Sequence, residues 1–70
     1  MANQALIKAE QAGKDGFRDG SISSYKAAER LARKSYASVL EREFFVAGWN
    51  DAFWTEQSRV LDASRSKVEG

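Results

Sequence analysis

No proline interrupts this chain of 70 residues, and Ala, Glu, Lys, Arg, Leu, Gln and Ser dominate what remains. Proline costs a helix interior about 3 kcal/mol, and these common residues are strong or fair helix formers, so the chain is expected to be helical throughout. It also lacks cysteine and histidine. No disulfide framework or thiolate metal site is therefore expected. The commonest general base and metal ligand is missing as well. The expectation is a non-catalytic protein with no cofactor and no metal.

A chain this short buries only about 60% of the surface its unfolded form exposes, which leaves a thin core in one domain. Hydrophobic residues nevertheless make up 43% of it, and eight are aromatic. That is too many for a wholly disordered segment. The formal charge is +1, so global charge argues neither for nucleic acid nor for acidic mimicry. Locally it is uneven. Residues 21–42 hold five cations and two anions, whereas residues 43–70 hold three cations and five anions. Such a dipolar chain can orient on a partner or on a second copy of itself. No apolar run approaches 20 residues, so no membrane association is expected. Met1-Ala2-Asn3-Gln4 lacks the features of a secretory signal, which makes a cytoplasmic location the expectation.

The spacing predicts three helices, over about 2–19, 23–35 and 38–63, with 63–70 as a frayed tail. In the first, Gly13, Gly16 and Gly20 fall on one helical stripe that Ala9 extends backwards. Three glycines in eight residues also read as loop. Close packing against another helix is what would justify the helical reading, with Gly20 just past the end. The stripe lacks a preceding strand and a Gly-Lys-Ser/Thr sequence, so it is not a nucleotide loop. Ser23 is the expected N-cap of the second helix. Ser38-Val39-Leu40-Glu41 matches a capping box, which allows a break before the third helix. No strand-like alternation and no internal repeat stands out.

Three features compete for function. Lys26, Arg30, Arg33 and Lys34 share one face of the second helix, and Tyr25 and Tyr36 flank it. This pattern is a solvated helix face, or a phosphate-contacting surface with rings able to stack on bases. The aromatic segment Phe44, Phe45, Trp49, Phe53 and Trp54 reads first as core. Five large rings within eleven residues exceed what short helices can hide, however. Phe44 and Trp54 are the expected exposed pair and, with Leu61, a partner interface. That surplus of apolar surface also predicts a homodimer. Asp15 and Asp19 lie one turn apart. With Lys14 and Arg18 interleaved, they read as surface salt-bridge partners and not as a metal site.

Two stretches resemble the ribosome modulation factor family, small helical bacterial proteins. Lys8 to Gly20 looks like that family's glycine-spaced first helix. Arg42 to Ala52 looks like its second-helix signature, with Phe45, Gly48, Trp49 and Ala52 on the signature positions. Together they cover about a third of the chain. The resemblance implies a helical hairpin whose helices meet through Gly13, Gly16, Gly20 and Gly48, with Trp49 packed across the contact beside Ala52. It also implies binding to the RNA of the small ribosomal subunit. Some relatives are phage or plasmid proteins. This chain departs from the family in its near-neutral charge and in a longer, helical stretch between Gly20 and Trp49.

The expected architecture is all-α, a small antiparallel helical hairpin with an additional helix. The leading functional expectation is a regulatory protein that contacts ribosomal RNA through the basic helix face. The alternative is a small phage-type inhibitor that binds one host protein through its exposed aromatic surface.

Overall fold

The computed structural model describes the backbone of residues 3–69 and the side chains of residues 4–62. The chain is all-α, with α1 over Asn3–Arg18, α2 over Tyr25–Ser35 and α3 over Val39–Glu69. Helix α3 has 31 residues, about 46 Å at 1.5 Å per residue. It sets the long axis of a molecule measuring 49 × 26 × 17 Å. Both other helices pack on α3 and scarcely touch each other. No helix among the described residues is long and apolar enough to cross a membrane.

The hairpin expectation needs correction. Along the α1–α3 contact, Glu10 meets Gly48, Lys14 meets Asp51, and Phe17 meets Phe53. Residue numbers rise together, so α1 and α3 run in the same sense. The antiparallel pair is α2 and α3, where Tyr25 lies against Trp49 and Tyr36 against Phe45. The intervening α2 reverses the chain once more than a simple hairpin requires.

Each junction has a local cause. Gly20 adopts φ +79°, the left-handed conformation that glycine takes without the usual Cβ penalty, and α1 ends there. The chain then folds back, and the Ile22 N–H donates to the Gly16 carbonyl at 3.1 Å. Helix α2 is capped by Ser24, one residue later than expected. Its backbone is extended, and its hydroxyl accepts from the Ala27 N–H at 3.1 Å. Ser35 is the last residue of α2, and Tyr36 is extended at φ −129°. The break before α3 is therefore real. Ser38 stands just before α3, and the Glu41 N–H points at its hydroxyl from 3.5 Å, a long version of the serine half of a capping box. Helix α3 continues past the expected end at residue 63 as far as Glu69. The side chains of the expected tail lie outside the described residues.

The core is small. Ala9, Ile22, Ala28, Ala32, Phe45 and Trp49 are buried, with Ala12, Phe17, Ala27, Tyr36, Phe44, Val46 and Phe53 packed around them. Backbones approach most closely where α1 crosses α3. A Cβ on Gly13 would collide with the Phe45 carbonyl oxygen and lie 2.8 Å from the Trp49 nitrogen. A Cβ on Gly48 would collide with the Glu10 carbonyl oxygen. Gly16 and Gly20 do not share in this contact. Gly16 lies under the Ile22 side chain, and nothing approaches Gly20 within 4 Å. The stripe therefore divides into one helix-crossing glycine, one under the returning loop, and one that turns the chain.

Candidate nucleic-acid interface

Helix α2 turns Ala28 and Ala32 into the core. The 100° step between residues then carries Lys26, Arg30, Arg33 and Lys34 to the far side. All four are exposed. The two ion pairs among the described residues, Lys14–Asp51 at 3.6 Å and Glu56–Arg59 at 3.7 Å, use none of them. Glu29, one turn before Arg33, does not neutralise it in this way. Arg30, Arg33 and Lys34 border a shallow depression of about 480 Å³ that Ile22, Ala27 and Leu31 also line. Cationic rims around an apolar lining can meet a phosphate and the nucleoside beside it.

The two flanking tyrosines have different situations. Tyr25 remains 48% exposed, with its ring edge-on to Trp49 at 6.4 Å. It can offer a face to a base. Tyr36 is half-buried and its ring packs on Phe45 at 5.6 Å. Its carbonyl accepts from Arg42 Nε at 2.7 Å, so Tyr36 belongs to the α2–α3 turn and not to an open stacking surface. The sequence reading missed this role of Arg42.

Of the three residues expected at a partner interface, two lie on the surface and one does not. Trp54 is 60% and Leu61 62% exposed. Phe44 is half-buried against the core, because it sits on the flank of α3 nearer the packed side. Trp49 lies across the helix contact as expected, stacked on Phe53 at 5.4 Å and edge-on to Phe17 at 5.6 Å. Ala52 is half-buried on the same helix. Between α2 and the outer side of α3 opens a second groove, of about 440 Å³, lined by Tyr25, Ala32, Arg33, Arg42, Val46 and Ala47 among others. Its walls had no signature in the sequence, since they come from two helices.

The acidic pair does not behave as expected. Lys14 reaches across to Asp51 on α3, while Asp15 accepts from Gln11 at 3.0 Å. Asp19 accepts from the Ser21 N–H at 2.8 Å. That backbone bond, helped by the Ser21 hydroxyl, holds the Asp19 carboxyl below its ordinary pKa of 3.8. Both carboxylates serve α1 and the turn after it. Among the described residues no three potential ligands gather where a metal ion could be held. Compared with family models, curated proteins and solved structures, the chain matches none of them.

Proposed function

We propose that this chain is a non-catalytic regulatory binding protein, acting as a homodimer, that contacts ribosomal RNA through the outer face of α2. One observation carries the reading: four cations stand exposed on one helix face, and none is used in an ion pair within the described fold. Unpaired cations keep their attraction for phosphate and release counterions on binding. Tyr25 at the start of the same helix supplies a ring for an unpaired base. The likeness of the Gly13 and Gly48–Trp49 stretches to the ribosome modulation factor family supports the choice of RNA. The test is a tagged pull-down from bacterial lysate with and without ribonuclease. Small-subunit RNA and proteins that disappear on ribonuclease treatment are expected. Their absence from the untreated eluate contradicts the proposal.

The exposed Trp54 and Leu61 favour a second reading, in which the protein inhibits a single host protein. Exposed aromatic residues are frequent anchors of protein interfaces. In the same experiment one ribonuclease-resistant protein, lost on Trp54→Ala, supports that reading.

A further inference from the structure

Three depressions on the described surface differ in charge. The groove between α2 and α3 has Glu29 and Glu43 in its lining. A smaller hollow of about 180 Å³ between α1 and α3 has Asp51 and Glu56. The depression of about 480 Å³ on the other flank of α2 has Arg30, Arg33 and Lys34 and no carboxylate. None of these three cations is used in an ion pair among the described residues. Of the three, this is the depression whose lining selects for an anion.

Its cations border a floor of a different kind. Ile22 is a buried core residue and Ala27 packs against the core. Leu31, one turn after Ala27, is 40% exposed. Together they form a continuous apolar surface beside the basic residues, so Leu31 is not an isolated apolar side chain on a solvated face. An occupant that fits both parts carries an anion next to a flat apolar body, as a nucleotide does. A base-paired nucleotide does not reach the floor. The bases of an A-form duplex are stacked inside it, and its wide, shallow minor groove presents 2′-hydroxyls and base edges. The floor would then face polar groups and stay wet. An unpaired base can lie on Ala27 and Leu31 while its own phosphate meets the cations of α2.

We infer that this depression seats one unpaired nucleotide, with the base on the floor made by Ile22, Ala27 and Leu31 and the phosphate on Arg30, Arg33 and Lys34, so that the protein selects single-stranded over duplex RNA. The seat rests on the phosphate-binding reading of α2 and narrows its partner to RNA with unpaired residues. Tyr25 has no part in it, since that ring lies on the other flank of α2, edge-on to Trp49. Ile22, Ala27 and Leu31 carry no polar side-chain atom, so the floor does not read the identity of the base.

The test is equilibrium binding of the full chain at low salt to three probes: a single-stranded oligouridylate, a blunt RNA duplex of the same length, and inorganic polyphosphate. The wild-type chain is expected to bind the oligouridylate at least about fivefold more tightly than the duplex, although the duplex carries the charge of two strands. Leu31→Ala is expected to lower the ratio of oligouridylate to polyphosphate affinity about fivefold. Leu31→Tyr, which offers a ring for stacking at the same exposed site, is expected to raise that ratio. Misfolding cannot produce such a gain, and far-UV circular dichroism checks that both variants keep their helices. A duplex bound as tightly as the single strand, or a ratio that neither substitution moves, overturns the seat. If Lys26→Ala, Arg30→Ala, Arg33→Ala still loses affinity for every probe, the phosphate-binding reading survives that outcome. A wild-type chain that binds none of the probes overturns the phosphate-binding reading and the seat together.

Discussion

The indole nitrogen of Trp49 donates to the backbone carbonyl of Ile22 at 3.0 Å, a buried bond between residues 27 positions apart. It ties the loop after α1 to the middle of α3, while Ile22 itself covers Gly16. One side chain thus connects the returning loop, α1 and α3. Trp49→Phe removes the donor and strands a buried carbonyl, which costs about 1–3 kcal/mol apart from lost packing. Chemical denaturation should show Trp49→Phe destabilised by at least about 1 kcal/mol. Trp54→Phe should stay within about 0.5 kcal/mol under conditions that keep the chain monomeric. Equal effects would mean that the bond to Ile22 contributes nothing.

The glycines should separate into classes. Alanine is the better helix former by about 0.5–1 kcal/mol, so Gly→Ala within a helix stabilises where space allows. At Gly13 and Gly48 the new methyl meets backbone of the other helix, which cannot rotate away. Forced overpacking costs about 1–3 kcal/mol. At Gly16 it meets the end of the Ile22 side chain, which can change rotamer. Thermal melting should rank Gly13→Ala and Gly48→Ala as clearly more damaging than Gly16→Ala. The reverse order would place the helix crossing elsewhere.

Capping gives a test that turns on one atom. Ser24→Ala removes the acceptor for the Ala27 N–H and should cost about 0.5–2 kcal/mol. Ser23→Ala should be close to neutral. If Ser23 proves the sensitive serine, α2 begins one residue earlier than described.

Acid should weaken the turn after α1. The Asp19 carboxyl is held below its ordinary value by the Ser21 N–H first and the Ser21 hydroxyl second. A carboxyl with a lowered folded pKa contributes stability above its unfolded pKa and loses it as pH falls through the folded one. Asp19→Asn should therefore remove a small pH dependence below about pH 4. A variant whose acid melting profile superimposes on the wild type would show that the bond to Ser21 is energetically silent.

Much of this fold could be read from spacing. The three helices, the turn at Gly20 and the break near residue 36 follow from glycine, serine and apolar periodicity. The basic face of α2 is legible because its residues are neighbours on one helix. What could not be read is what two helices make together. The sense of α1 relative to α3 depends on how α2 docks, which no local pattern encodes. Ile22 offered a faint signal, a lone apolar residue in a serine-rich loop. Tyr36 and Phe44 were misplaced because a ring's exposure depends on which neighbour reaches it first.

The most direct measurement of the central claim is the salt dependence of binding to small-subunit ribosomal RNA, for the wild-type chain and for the Lys26→Ala, Arg30→Ala, Arg33→Ala triple variant. Each cation that neutralises a phosphate steepens the slope of log affinity against log salt by roughly 0.7–0.9. A steep wild-type slope, lowered by about 2–3 in the triple variant together with a loss of affinity, is the predicted result. Unchanged binding by the triple variant at low salt would contradict the claim that α2 carries this interface.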